Sequence, residues 1–327
     1  MKLVYLLACT GMAVLTLGSA AAQKSSIATR QGSGSILQSA SDSLYINYND
    51  YIRGLGAFAA SSPRALWRAS MKTLHESAGS MQEETPPAER VKTVAAAAKV
   101  FSDEEVYAAR KQGVFMIGKL YAGQKAGDTL FEIKGTAFAI SEDGVCVTNY
   151  HVLQDLIRSK GMNNDLVYFI LGTDRKVFIM DRLLAFSKNN DMVVFKVNTE
   201  GEKLRPIPLG QPAGIGATVY CISHPGGQLF YFTKGMVARN IIADSNNINN
   251  YSGNGRAPLR MEITAEYGAG SSGGPVLDKY GNLVGIIATT YTIYLAQQEK
   301  GNVADRQPQM VVRGTVPVKA LIGLINL

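Results

Sequence analysis

Histidine and cysteine are scarce in this chain, which has three of each among 327 residues. They show no metal-ligand spacing, so neither a metal site nor a cofactor is predicted. The net charge is +7, yet the basic residues form no run interleaved with aromatic side chains, and nucleic-acid binding is not expected. Beyond the N-terminus, no apolar run approaches the ~20 residues of a membrane-spanning helix.

The first 22 residues have the pattern of a secretory signal peptide. Lys2 gives a short positive start, residues 3–17 are largely apolar, and three alanines precede Gln23. An uncleaved membrane anchor and a lipoprotein signal ending at Cys9 are the alternatives. We therefore predict an exported protein, periplasmic or secreted, with no membrane span after signal cleavage.

Two cysteines remain once the signal is removed, Cys146 and Cys221, and each lies in apolar, strand-like sequence. We predict that they are buried free thiols that pack as small hydrophobic groups. A disulfide is the alternative in an exported protein.

Residues 23–104 are predicted to form a polar, flexible leader followed by a helical extension. Apolar residues recur at helical spacing over residues 63–81, and alanine-rich sequence predicts a second helix over residues 88–101. Ser102, followed three residues later by Glu105, has the pattern of a capping box at the start of a further helix.

From about residue 113 the sequence changes to roughly a dozen short β-type runs separated by glycine or polar turns. This pattern predicts an all-β fold, either a barrel or a sandwich. A proline-rich stretch over residues 204–212 predicts a link between two halves, which gives domains at 105–205 and 206–327.

Three further segments are predicted around these strands. A short apolar helix closes the chain at residues 318–327, and two long polar stretches, residues 246–258 and 297–307, are expected to be surface loops.

The most informative motif is the glycine-flanked serine turn at residues 270–275, Gly-Ser-Ser-Gly-Gly-Pro. Such a turn can present Ser272 as a nucleophile, since glycine adopts backbone angles closed to other residues. By itself the motif also fits the nucleophile turn of α/β-hydrolases, in which the histidine follows the serine. No histidine follows Ser272, so a histidine base must be His75, His151 or His224.

His151 is the strongest candidate for the base because it follows a predicted hairpin and lies at a strand end, where loops carry function. Asp191 opens an apolar strand, so its partly buried carboxylate needs a partner such as a histidine N–H. Asp165 follows His151 too closely to leave room for a hairpin, and Asp181 can pair with its neighbour Arg182.

Taken in order, these motifs resemble the trypsin/chymotrypsin-fold serine peptidases, and among them the bacterial HtrA/Deg-like branch. The resemblance covers residues 105–327 and includes Gly-Thr-Ala-Phe at 135–138, Thr-Asn-Tyr-His-Val at 148–152, and Asp-Met-Val-Val at 191–194. It implies two six-stranded antiparallel β-barrels, chymotrypsin-like, behind the N-terminal helical extension.

The resemblance also implies catalytic roles. His151 takes the proton of Ser272 as the hydroxyl attacks a carbonyl group, Asp191 orients the imidazole, and the backbone N–H groups of Gly270 and Ser272 form the oxyanion hole. His224 is similar to a structural turn residue of the family. Ser271 replaces the aspartate that zymogen-activated relatives use, so that activation route is not expected.

The substrate pocket is assigned through the resemblance to Glu266, Tyr267 and Thr290. An acidic floor at Glu266 favours lysine or arginine at P1, the substrate residue before the cleaved bond. Thr290 at the pocket mouth favours small apolar side chains instead, and Tyr267 can close the pocket. These alternatives stay open.

The predicted function is an exported serine endopeptidase that acts on polypeptide substrates. A catalytically silent binding or chaperone-like protein on the same fold is the alternative, and an esterase is a third hypothesis because the acyl chemistry is shared. The protease-like sequence extends to Leu327, so no PDZ domain is expected. The N-terminal helices are candidates for homo-oligomerisation.

Overall fold

The computed structural model describes residues 3–7, 14–16, 45–124, 127–159, 164–242, 258–294 and 307–326. The strands are β1 (Leu3–Leu7), β2 (Val14–Thr16), β3 (Val114–Ala122), β4 (Thr129–Ala139), β5 (Val145–Thr148), β6 (Asp165–Leu171), β7 (Val177–Ser187), β8 (Met192–Asn198), β9 (Thr218–Ser223), β10 (Tyr231–Ile242), β11 (Leu259–Ile263), β12 (Pro275–Leu277), β13 (Leu283–Tyr294) and β14 (Pro308–Pro317). The helices are α1 (Tyr48–Ser61), α2 (Arg64–Ser80), α3 (Asp103–Arg110), α4 (Tyr150–Ser159) and α5 (Val318–Leu324).

The first barrel consists of six antiparallel strands in the order β4-β3-β6-β7-β8-β5, and β5 pairs with β4 to close it. The predicted Asp-Gly turn joins β4 to β5, where the Ile140 N–H donates to the Val145 carbonyl oxygen at 2.8 Å. Outside the barrel, β1 pairs in parallel with β4, and β2 pairs with β1. Both of these strands lie in the predicted signal segment, whose cleavage stays a prediction.

The second barrel closes in the order β10-β11-β14-β13-β12-β9, again with antiparallel pairs. The predicted link over residues 204–212 is irregular and carries one isolated bridge, between Leu209 and Leu283. Two closed six-stranded barrels confirm the predicted chymotrypsin-like architecture and exclude a sandwich, because in each barrel the first and last strands pair.

The two barrels share a hydrophobic core. Val147 and Val194 of the first barrel belong to the same buried cluster as Ile222 and Ile286 of the second, and Leu321 of α5 completes it. Burial of these side chains fixes the two barrels against each other. The predicted C-terminal helix is confirmed as α5.

The N-terminal extension packs against the first barrel. The predicted helix over residues 63–81 is confirmed as α2, whose Leu74 is fully buried. α1, which the sequence analysis did not assign, buries Leu55 in one cluster with Trp67 and Phe169. These helices therefore direct apolar side chains into their own barrel, and homo-oligomerisation through them stays a prediction.

The predicted helix over residues 88–101 is wrong, because this segment follows the barrels as irregular, extended chain. Several of its backbone groups bond to distant residues: the Asn282 amide bonds both the N–H and the carbonyl of Ala97, and the Phe101 N–H donates to the Lys279 carbonyl oxygen. Val91 is buried in the core between the barrels. Tertiary contacts thus outweigh the helix propensity of alanine here.

The capping box at Ser102 is confirmed, with Ser102 and Glu105 bonding each other's backbone N–H at the start of α3.

Cys146 and Cys221 are buried free thiols as predicted, one in each barrel, and burial raises the pKa of Cys221 to about 12. Among the described residues, no helix is both long and apolar enough to cross a membrane.

Three sequence predictions fall on parts of the chain beyond the described residues. They are the leader over 23–50 as far as residue 44, the polar loop over 246–258 except for its last residue, and the loop over 297–307, likewise except for its last residue. The end of the predicted leader is wrong, because α1 begins at Tyr48.

Candidate active site

His151 and Asp191 form a pair held by two hydrogen bonds. The imidazole Nδ1 lies 2.8 Å from Asp191 Oδ2, and the His151 backbone N–H donates to Oδ1 at 2.9 Å. A carboxylate can only accept, so Nδ1 carries the proton and Nε2 is left to accept another. The aspartate side chain is 16% exposed and the histidine side chain 42%. Asp191 therefore fixes both the tautomer and the orientation of a solvent-accessible imidazole.

The local structure explains why Asp191 can reach this position. His151 lies in the first turn of α4, where backbone N–H groups have no partner within the helix, and the carboxylate accepts one of them. Asp191 has a left-handed backbone with φ 56°, which aspartate adopts more readily than most residues. Asn149 donates from its amide to the Asp191 carbonyl oxygen at 2.8 Å and holds the turn.

Ser272 lies at the junction of the two barrels, half-buried on the turn before β12. Its carbonyl oxygen accepts the Thr136 N–H at 2.9 Å. A Cβ atom added to Gly135 would lie 2.9 Å from that oxygen and 3.3 Å from Cγ2 of Val152, the residue after His151. The backbone of the candidate nucleophile and the histidine segment therefore both lie against Gly135.

The serine turn depends on glycine at two positions with left-handed backbone. Gly270 has φ 93°, and a Cβ atom added to it would lie 2.5 Å from the His224 carbonyl oxygen. Gly273 has φ 84°, and a Cβ atom added to it would lie 2.2 Å from the Thr136 carbonyl oxygen. In the part of the chain that the structure describes, the N–H groups of Gly270 and Ser272 donate to no other residue. Two free donors thus flank the serine side chain.

Thr136 connects the serine turn to His224. Its hydroxyl donates to the Gly270 carbonyl oxygen at 2.9 Å and accepts the His224 backbone N–H at 3.2 Å. Since its one proton is used, the His224 Nδ1, 3.0 Å away, must be the donor to the same hydroxyl. Burial lowers the pKa of His224 to about 3, so this histidine is neutral and structural. The prediction of a turn residue agrees with this geometry.

Ser271 is fully buried behind the turn. Its hydroxyl accepts a hydrogen bond from Ser223 at 3.0 Å, which ties the turn to the end of β9. A neutral pair therefore occupies the position at which zymogen-activated relatives form an ion pair.

The other candidate acids and bases have different partners. Asp165 pairs with Lys119 at 2.8 Å, and Asp181 pairs with Arg182 at 2.6 Å, as its sequence position predicts. His75 lies on α2, in the N-terminal extension. Within the described part of the chain, the structure therefore pairs His151, and neither of the other two histidines, with an aspartate.

The three predicted pocket residues differ in their surroundings. Glu266 is 72% exposed and forms an ion pair with Arg313, which is largely buried. Tyr267 is buried, and its hydroxyl donates to the carbonyl oxygens of Thr289 and Gly314 at 3.1 and 2.8 Å. Thr290 is exposed on β13. The charge of Glu266 is therefore balanced within the protein, and the Tyr267 hydroxyl is bonded to the backbone of the second barrel.

Sequence reasoning missed several residues around this site. Thr136 stands in the Gly-Thr-Ala-Phe motif, which could have marked it as a residue that supports the nucleophile turn. Glu83 bonds the backbone of Lys188, 105 residues later in the chain, and Arg260 bonds the carbonyl oxygen of Asn189. No local pattern signals either of these long-range contacts.

This combination of a two-barrel fold, a His-Asp pair and a serine turn defines the chymotrypsin-like class. Residues 135–286, which contain the His-Asp pair and the serine turn, match the family model of the trypsin-like peptidase domain. Over these residues, a little under half of its length, the chain is similar to a trypsin-like peptidase domain.

The named relatives belong to the Deg and HtrA proteases. Protease Do-like 5, chloroplastic, of Arabidopsis thaliana is 29% identical over 165 residues, 48% of each chain. Probable periplasmic serine endoprotease DegP-like of Brucella suis is 29% identical over 155 residues, 47% of this chain and 27% of that protein. The chain spans about half or less of the length of these relatives.

Among solved structures, the HtrA-type protease AlgW with a decapeptide shares the fold. Its TM-score is 0.52 at 17% sequence identity, and the match covers 69% of this chain and 67% of that one.

Proposed function

We propose that this protein is a serine endopeptidase in which Ser272, His151 and Asp191 act as the catalytic triad. The observation that carries the proposal is the doubly bonded His151–Asp191 pair, whose imidazole keeps Nε2 available to accept a proton. His151 Nε2 takes the hydroxyl proton as Ser272 attacks the substrate carbonyl carbon, and then gives that proton to the leaving amine. Asp191 stabilises the imidazolium that forms between these steps.

The proposed oxyanion hole consists of the N–H groups of Gly270 and Ser272, because neither is used by another described residue. Water then hydrolyses the acyl-enzyme by the same proton transfers in reverse. Each such donor typically contributes about 3 kcal/mol of transition-state stabilisation.

For the substrate, we propose a polypeptide with a small apolar residue at P1. The Arg313 guanidinium neutralises Glu266, so the Glu266 carboxylate is already paired and does not favour a lysine or arginine at P1. The buried Tyr267 side chain occupies volume in the proposed P1 pocket and leaves space only for a small residue. Export to the periplasm or outside the cell remains part of the proposal on the basis of the N-terminal sequence.

The experiment compares the wild type with Ser272→Ala and with Ser61→Ala, which removes an exposed hydroxyl on α1. A fluorophosphonate should label wild type and Ser61→Ala but not Ser272→Ala, and cleavage of a denatured protein mixture should follow the same order. Mass spectrometry of the fragments gives the P1 residues, where alanine, valine and threonine should exceed lysine and arginine.

An unlabelled, inactive wild type would instead support the silent binding protein. Labelling together with cleavage of esters but no peptides would support the esterase. An excess of lysine and arginine at P1 would contradict only the proposal of a small apolar P1 residue and would leave the proposed triad unaffected.

A further inference from the structure

The turn that leads into Asp191 is held by the N-terminal extension. Glu83, just beyond α2, uses one carboxylate oxygen to accept two backbone N–H groups, those of Lys188 at 2.9 Å and Asn189 at 3.2 Å. Asp191 follows two residues later. An acceptor that binds two successive N–H groups fixes the path of the backbone between them.

The neighbouring residue strengthens this contact. The Glu84 N–H donates to the Phe186 carbonyl oxygen at 2.9 Å, and its carboxylate accepts the Ser187 hydroxyl. The same hydroxyl oxygen accepts the Asn190 N–H at 2.9 Å. Glu84 has a left-handed backbone with φ 62°, which is uncommon for this residue type and is maintained by the surrounding contacts.

The extension is itself anchored to the strand that enters the turn. On α2, Ser70 donates to the Met180 carbonyl oxygen at 2.5 Å, and the Ser77 hydroxyl accepts the Leu183 N–H at 3.0 Å. From the other barrel, the buried Arg260 donates to the Asn189 carbonyl oxygen at 3.3 Å. Burial lowers the pKa of its guanidinium, and the charge of Asp191 opposes this effect. The Asp191 turn is therefore held on one side by the extension and on the other by β11.

We propose that Glu83 is a positioning residue for the triad, through which the N-terminal extension keeps Asp191 in place to orient His151. This role rests on the proposed function. Without the carboxylate, the N–H groups of Lys188 and Asn189 lose their acceptor and the turn can relax. A displacement of the order of 1 Å in a catalytic group can lower a rate by up to about a hundredfold.

The experiment compares Glu83→Ala, Glu83→Gln and Glu76→Ala in the full chain. Glu76 is the control, because it lies on α2 in the same extension and pairs with Lys72 alone in the described ion pairs. We expect Glu83→Ala to lower kcat by about 5- to 50-fold with KM within about twofold. Its Lys188 and Asn189 amides should exchange with deuterium at least about tenfold faster, since they are no longer bonded.

Glu83→Gln should retain kcat within about twofold, because the amide oxygen can accept the same two hydrogen bonds. Glu76→Ala should match the wild type in every measurement. Thermal unfolding of each variant shows whether it is folded.

An active wild type together with an unchanged kcat in Glu83→Ala would overturn the positioning role alone. Equal losses in Glu83→Ala and Glu83→Gln would also contradict it, because they would show that charge rather than hydrogen bonding matters. A wild type that is neither labelled at Ser272 nor active would overturn the proposed function, and this role with it.

Discussion

His224 supports the candidate site through its packing and through its hydrogen bond to Thr136. It is fully buried, its ring packs edge-on against Phe230 at 4.8 Å, and its Nδ1 bonds Thr136. Its Nε2 has no partner among the described residues. Such a histidine serves the fold in its neutral form, and protonation would place a charge in the interior.

We predict that His224 lowers stability in acid. Burial holds its pKa at about 3 in the folded state, whereas an unfolded histidine titrates near 6.5. Between these values only the unfolded chain takes up the proton, so stability is full above about pH 6.5 and falls as the pH decreases toward 3. At pH 4.5 this residue alone should cost about 2 to 3 kcal/mol relative to pH 7.

Urea unfolding at both pH values measures this effect in the wild type and in His224→Asn, which retains a side-chain N–H donor. The variant should lose about 2 to 3 kcal/mol less than the wild type between pH 7 and 4.5. Equal losses in the two proteins would contradict the prediction.

The segment over residues 88–101 has alanine-rich sequence suited to a helix and yet forms none. Alanine favours a helix by less than about 1 kcal/mol per residue over most other residues, and here the backbone finds partners on the barrels. The side chain of Asn282, which is 4% exposed, bonds both the backbone N–H and the carbonyl oxygen of Ala97. In a helix these two groups would bond to backbone groups one turn away.

We predict that Asn282→Ala lowers the free energy of unfolding by about 1 to 3 kcal/mol, because two hydrogen bonds are lost in a largely buried place. It should also make residues 88–101 more sensitive to limited proteolysis. Asn240→Ala is the matched control, since its side chain makes one exposed hydrogen bond, to Ala213. Comparable destabilisation of both variants would argue against this role of Asn282.

The two barrels meet at the candidate active site, and contacts across their junction bring its residues together. His151 and Asp191 come from the first barrel, while Ser272 comes from the second. Thr136 of β4 joins them: its N–H bonds Ser272, and its hydroxyl bonds Gly270 and His224.

We predict that Thr136→Val, which preserves shape and removes the hydroxyl, destabilises the protein by about 3 kcal/mol, because it leaves buried polar groups without a partner. Fluorophosphonate labelling of Ser272 should slow at least about tenfold as the turn loses its support. Thr136→Ser, which retains the hydroxyl, should stay within about 1 kcal/mol and label normally. Slow labelling in the serine variant as well would show that the methyl group, rather than the hydrogen bonds, is needed.

The β-architecture and the candidate site were predictable because their signals are local. Alternating apolar residues and glycine turns specify strands over a few positions, and a nucleophile turn needs glycine at fixed places. The order of His151, Asp191 and Ser272 excluded the α/β-hydrolase arrangement without any coordinates. The choice between a barrel and a sandwich depended on the family resemblance and then on the observed strand pairing. Hydrophobic periodicity alone does not specify which strands pair.

The sequence by itself therefore determined the strand pattern, the glycine-dependent serine turn and the choice of candidate triad residues. It did not determine the fate of residues 88–101 or the contacts of Glu83, Thr136 and Arg260. These depend on which distant surfaces meet when the barrels close, since a backbone N–H bonds whichever acceptor the folded chain brings near. Local secondary-structure propensity contributes less free energy than such contacts. For that reason only the tertiary structure reveals the contacts that hold the Asp191 turn.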